Sequence, residues 1–191
     1  VYGASVLTAL TAQNTLGVTA IHDVPVDFIR AQMDAVLSDL KVDAVKIGML
    51  SQPDIIETVA KGLQDHGPSP VVLDPVMVAE SGDPLLAEEA ESSLVDHLFP
   101  SAQLITPNLH ESARLLKTDM ATSHNEMERQ AHGLKDMGAI SVLLKGGHAS
   151  GDSADDCYLA EDGTITWFSA PFVDTKNTHG TGCSLSSAIT A

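Results

Sequence analysis

The stretch from Asp43 to Asp74, DAVKIGMLSQPDIIETVAKGLQDHGPSPVVLD, decides the fold. Asp43-Ala44-Val45-Lys46-Ile47-Gly48 is a short apolar run of strand length and reads as a buried strand. Ser51-Gln52-Pro53-Asp54 then has the spacing of a capping box, with a proline in the first helical turn. Ile55, Ile56, Val59 and Leu63 recur on one helical face, and Gly67-Pro68 ends the helix. Val71-Val72-Leu73-Asp74 is a second short strand, and it ends on a carboxylate.

The same period continues on both sides. Upstream, Val1 to Gln13 reads as a strand that runs to the turn Asn14-Thr15-Leu16-Gly17. Asp27 to Leu40 reads as a helix with Asp27 as N-cap and Ile29, Met33, Val36 and Leu40 as its apolar face. Downstream, the loop with Ser81-Gly82-Asp83-Pro84 leads to a helix from about Leu86 to Leu98. Gln103-Leu104-Ile105-Thr106 reads as a strand, and a helix follows near Asn108 to Leu116. Ser123 starts a helix that carries Met127, Ala131, Leu134 and Met137. Ser141 to Lys145 is another strand. Asp156–Leu159 and Ile165–Phe168 flank the turn Glu161-Asp162-Gly163-Thr164 as a hairpin.

Alternation of strands and helices predicts an α/β fold: a mainly parallel sheet with helices on both faces, as one domain over residues 1–191. In such sheets ligands bind beyond the carboxyl ends of the strands. Gln13, Met49, Asp74, Asn108, Lys145 and the loop at Gly180 all fall there.

That last loop, Asn177-Thr178-His179-Gly180-Thr181-Gly182-Cys183, opens into the apolar helix start Ser184–Ile189. Glycines around Thr181 let backbone N–H groups converge, and a helix N-terminus adds partial positive charge. This is a place for an anion such as a phosphoryl group, with the Cys183 thiol beside it. Lys176 is near the same loop, and His179 reads as structural. Asn108 and Glu111 have capping-box spacing, and their oxygens also suit a magnesium ion. Asp74 reads either as a carboxylate bonded to loop N–H groups or as one aimed at a metal. Lys145, before Gly146-Gly147-His148, is a solvated strand-end lysine or a partner of nucleotide phosphates. Met49 reads as core. The Gln13 amide suits the edge of a nitrogen heterocycle.

Charge narrows the partners. Lys and Arg number 10 against 26 acids, a net −16. No basic stripe is available to track a nucleic acid, and an anionic membrane surface is disfavoured for the same reason. No apolar run reaches membrane-spanning length. The two cysteines, Cys157 and Cys183, form no disulfide framework, which points to a cytoplasmic setting.

Taken together, Thr8–Thr15, Lys46–Leu50, Val72–Met77, Ser81–Leu86, Ile105–Asn108, Lys145–His148 and Thr175–Cys183 resemble the bacterial hydroxymethylpyrimidine/phosphomethylpyrimidine kinases of thiamin biosynthesis, within the ribokinase-like superfamily. The resemblance runs over essentially the whole chain. It implies a three-layer α/β/α fold and ATP-dependent phosphorylation of the pyrimidine's hydroxymethyl group, then of the monophosphate. It also implies that Gln13 binds the aminopyrimidine, with Met49 and Val76 lining its pocket. Gly180, Thr181 and Gly182 would form the anion hole, with Cys183 as the catalytic group where most ribokinase-like enzymes carry an aspartate. Asp74 and Glu111 would serve Mg2+, while Asn108 and Lys145 would face the nucleotide. A homodimer is implied as well. Family members carry a further strand and glycine-rich loop before this stretch and further helices after it, so the chain reads as part of a longer enzyme. Pyridoxal kinase is the nearest alternative, and a non-catalytic pyrimidine-binding module is the alternative from another class.

Overall fold

A computed structural model describes residues 1–14, 17–67, 70–78, 85–87, 89–147, 153–175 and 179–191. The expected features at Thr15-Leu16, Pro68, Ser81–Pro84, His148 and Lys176–Thr178 lie outside the described residues.

The repeating unit has the expected form. Strand β3 (Val45–Ile47) leads to helix α2 (Pro53–His66) and back to strand β4 (Val71–Leu73), parallel to β3. Pro53 occupies the first helical position, where its missing N–H is not needed. Ile55, Ile56, Val59 and Leu63 are all buried. Gly67, at φ 80°, ends the helix in a conformation that other residues rarely adopt. The predicted capping box is absent: Gln52, one residue later, takes the N-cap position without a side-chain bond, and the Ser51 hydroxyl donates to Asp23.

After β4 come helix α3 (Ala90–His97), a single 3-10 turn (Phe99–Ser101), strand β5 (Leu104–Ile105), helices α4 (Leu109–Leu116) and α5 (His124–Asp136), and strand β6 (Val142–Leu144). The hairpin of β7 (Ser153–Leu159) and β8 (Ile165–Pro171) follows, longer than predicted, and helix α6 (Thr181–Thr190) comes last. Helix α3 begins later than predicted. The Leu85 and Leu86 N–H groups both bond to the Met77 carbonyl, and the helix starts only at Ala90.

The sheet order is β3-β4-β5-β6-β7-β8. Pairing is parallel from β3 to β6 and antiparallel from β6 to β8. Val71, Val72 and Leu73 are all buried although successive side chains point to opposite faces, so both faces of β4 are covered. Helix α6 supplies part of this cover by packing on β4 and β3.

The N-terminal region departs from the expected single strand. Its regular part is β1 (Ala9–Asn14), paired antiparallel with a second strand, β2 (Gly17–Asp23), as a two-stranded sheet apart from the main one. The Asn14 side chain accepts the Gly17 N–H at 3.2 Å, which helps hold the facing ends of the two strands together. Both strands are largely exposed, so β2 lacks the buried apolar pattern that makes strands legible. Helix α1 (Val26–Asp39) follows. Pro25, not Asp27, takes its N-cap position, and Asp27 lies in the first turn.

Candidate active site

Asp74 directly follows β4 and is only 1% exposed. A buried carboxylate is costly unless donors surround it. Here they come from three other parts of the fold. Lys145 Nζ, after β6, donates to Oδ1 at 3.0 Å. Thr106 Oγ1, after β5, donates to the same oxygen at 3.2 Å. Ser186 Oγ, on α6, donates to Oδ2 at 3.1 Å.

The parallel ladder sets these strand ends in register. Asp74 N–H bonds to Ile47 O at 2.9 Å, Thr106 N–H to Leu73 O at 2.9 Å, and Lys145 N–H to Pro107 O at 2.9 Å. Lys145 also bridges to Asn108 in parallel sense.

Asn108 and Glu111 form a complete capping box at the start of α4. The Asn108 side chain accepts the Glu111 N–H at 2.9 Å, and Glu111 Oε2 accepts the Asn108 N–H at 2.7 Å. Glu111 is buried. Burial pushes its carboxyl up to about 7, against the pull of Lys145 and the backbone N–H groups of Asn108 and Met77; the charge on Asp74 pushes the same way as burial. The two carboxylates and the lysine therefore share one electrostatic site.

Helix α6 brings its N-terminal turn to this cluster. Gly180 caps it at φ 77°, a left-handed conformation suited to glycine. A β-carbon on Gly182 would lie 3.1 Å from Lys145 Nζ and 3.9 Å from Asp74 Oδ2. The absence of a side chain thus lets the helix start approach the ammonium closely. Cys183 is exposed in the same turn, and neither it nor the buried Cys157 is in a disulfide.

Of the residues singled out from sequence, Asp74, Glu111, Asn108, Lys145 and Gly182 come together here. Val76 is half-buried just beyond Asp74, and its N–H bonds to the Asp74 carbonyl at 2.8 Å. Met49 is also half-buried rather than core, and its carbonyl accepts Thr8 Oγ1 at 3.1 Å, which ties the base of the β1–β2 ribbon to the end of β3. Gln13 stands on the exposed ribbon, at a register shift opposite Val18. His179 and Thr181 are exposed. Thr106 and Ser186 were not legible as site residues, since a threonine after a strand and a serine in a serine-rich helix carry no distinguishing pattern. Among the described residues no group of three or more His, Cys, Asp or Glu side chains is placed to hold a metal ion. No described helix is long and apolar enough to cross a membrane.

The sheet order, the strand-end charge cluster and the glycine-led helix define an α/β kinase of the ribokinase-like class, and solved structures bear this out. Phosphomethylpyrimidine kinase from Clostridium difficile matches with a TM-score of 0.83 at 38% identity, covering 99% of this chain and 76% of that one. An ADP complex of Bacillus subtilis pyridoxal kinase matches with a TM-score of 0.89 at 34% identity, covering 100% of this chain and 72% of that one. The chain belongs to the phosphomethylpyrimidine kinase family, whose sequence model matches residues 1–191. It is 50% identical over 190 residues to the hydroxymethylpyrimidine/phosphomethylpyrimidine kinase of Salmonella typhimurium, covering 100% of this chain and 71% of that protein.

Proposed function

We propose that the protein transfers a phosphoryl group from ATP to 4-amino-5-hydroxymethyl-2-methylpyrimidine, and a second to the resulting monophosphate, in thiamin diphosphate biosynthesis. Family membership supports the reaction class. The observation that carries the reading is the Lys145 ammonium, 3.0 Å from Asp74 and packed against Gly182 at the start of α6. Phosphoryl transfer depends mainly on positioning and on charge stabilisation. A lysine beside a helix N-terminus concentrates positive charge at one point in a protein of net charge −16.

In this reading Lys145 and Asn108 face the nucleotide. The N–H groups of the Gly180–Cys183 turn hold the phosphoryl group in transit, and Cys183, as the thiolate, takes the proton from the attacking hydroxyl and becomes the thiol. Gln13 reads the edge of the aminopyrimidine, and Met49 and Val76 flank its ring. Asp74 and Glu111 also supply buried carboxylate oxygens, the hard donors that suit Mg2+ once Glu111 has given up its proton. Asp74 and Glu111 would hold it, and when bound it would supply charge neutralisation on the phosphates. A cytoplasmic homodimer completes the proposal.

The test is ADP release by the full-length protein, with hydroxymethylpyrimidine, its monophosphate and pyridoxal as acceptors. Release with both pyrimidines is expected. Pyrimidine binding without release would replace this reading with a non-catalytic binding module. A second reading, pyridoxal phosphorylation, is favoured by the TM-score of 0.89 to the Bacillus subtilis pyridoxal kinase, so the pyridoxal arm decides between exclusive and dual use.

A further inference from the structure

Strands β6 and β7 pair through Val142–Leu159, Leu143–Tyr158 and Leu144–Cys157, and there the ladder stops. The next two N–H groups of the β6 chain take different partners. Lys145 N–H bonds to Pro107 O on the β5 side, at 2.9 Å. Gly146 N–H turns the other way and bonds to the side chain of Asp156, with Oδ1 at 2.9 Å. A carboxylate thus stands where a backbone carbonyl would have continued the ladder.

Gly146 passes close to β7 at this point. A β-carbon there would lie 1.9 Å from the Asp155 carbonyl oxygen and 2.9 Å from the Met127 methyl carbon. The chain leaves β6 through a slot that only glycine fits. It is held on one side by Pro107 O and on the other by Asp156. Asp156 is half-buried. Burial raises its carboxyl, while the Gly146 N–H and the nearby Lys145 charge oppose the rise. Asp156 therefore also lies within the field of the ammonium that meets Asp74.

We infer that Asp156 is a positioning residue for nucleotide binding: by accepting the Gly146 N–H where the β6–β7 ladder ends, it fixes the Lys145-Gly146 segment, which aims Lys145 at Asp74 and the start of α6. It makes no contact with substrate itself and acts through Lys145. The inference rests on the kinase reading given above for the role of Lys145, but the bond it invokes is independent of that reading.

Two variants of the full-length protein test it. Asp156→Ala removes the acceptor and leaves a buried N–H without a partner. Asp156→Asn keeps an acceptor oxygen of the same reach and removes the charge. With Asp156→Ala the KM for ATP should rise by about tenfold, the scale set by one unsatisfied buried group, while the KM for the pyrimidine stays within about twofold. Amide hydrogen exchange at Gly146 should quicken by about tenfold or more. Asp156→Asn should return both quantities to within about threefold of the parent. An Ala variant with an unchanged KM for ATP, or with unchanged Gly146 exchange, overturns the inference, as does an equal rise in both KM values. An Asn variant as impaired as the Ala variant also overturns it, by showing that charge and not the bond matters. If the parent releases no ADP with any acceptor, the kinase reading falls, and ADP affinity by calorimetry with the same Gly146 exchange still judges Asp156.

Discussion

The ends of β4, β5 and β6 differ sharply from the β1–β2 ribbon. At the strand ends, Asp74 is 1% exposed and every donor around it comes from a different element. On the ribbon, Leu10 is 51% exposed and Ile21 38%. Two-stranded sheets are marginal by themselves. The ribbon is tied to the body at its base, through Thr8 to Met49, Asp23 to Ser51, and a reciprocal pair between the Leu7 backbone and the Gln32 side chain. The charge-bearing part of the candidate site is thus built into the core, while the candidate pyrimidine reader Gln13 sits outside it. Altering the first should disturb folding and chemistry together. Altering the second should touch ligand choice alone.

The sharpest break should come from Asp74→Ala. It leaves the Lys145 ammonium, 14% exposed, without its 3.0 Å partner. Removing one member of a buried pair typically costs about 3–5 kcal/mol, measurable as a lower urea midpoint. A variant as stable as the parent would show that the strand-end cluster is no more integral than the ribbon.

Glu111 gives a pH test of the same region in metal-free buffer. Its folded-state carboxyl sits at about 7, above the ordinary glutamate value of 4.5. The folded state therefore holds this proton more tightly than the unfolded chain. The associated stability is fully present below about pH 4.5 and is lost as pH rises through about 7. Glu111→Gln should flatten the stability profile across that window by about 3 kcal/mol. An unchanged profile would place the pH dependence elsewhere.

Cys183→Ala tests chemistry without packing, because the side chain is exposed. Turnover should fall by about a hundredfold, within the usual range for a proton-transfer group, while Tm stays within a degree or two of the parent, as for surface substitutions. Near-parental turnover would remove Cys183 from the proposed mechanism. Gln13→Ala is the smallest effect. The KM for the pyrimidine should rise by about tenfold, the scale of one or two lost hydrogen bonds, with the KM for ATP and the stability unchanged. Equal losses for both ligands would mean that the ribbon and the core cluster act as one unit.

Much of the fold was legible because its signals are local. The α2 face of Ile55, Ile56, Val59 and Leu63, the Gly67 stop and the fully buried β4 all follow from apolar period and turn chemistry. The α4 capping box was legible for the same reason, since both partners lie within one turn. Strand β2 was not, because a ribbon exposed on both faces has no apolar alternation. The α2 capping box failed because the helix takes Gln52 as its N-cap, one residue after Ser51, whose hydroxyl is tied to Asp23, 28 residues away.

The sequence alone determined the elements of the main sheet and its helices and that their polar residues gather at the carboxyl ends of the strands, since both depend on neighbours a few positions apart. Only the tertiary structure decided what those residues do to one another. Lys145 reaches Asp74 across 71 residues, and Ser186 reaches it across 112. These pairings depend on strand order, on register and on the close approach that Gly182 permits. None of the three is encoded in local period, so no pattern along the chain could have assigned Ser186 and Thr106 their places beside Asp74, or Asp156 its place at the Gly146 N–H.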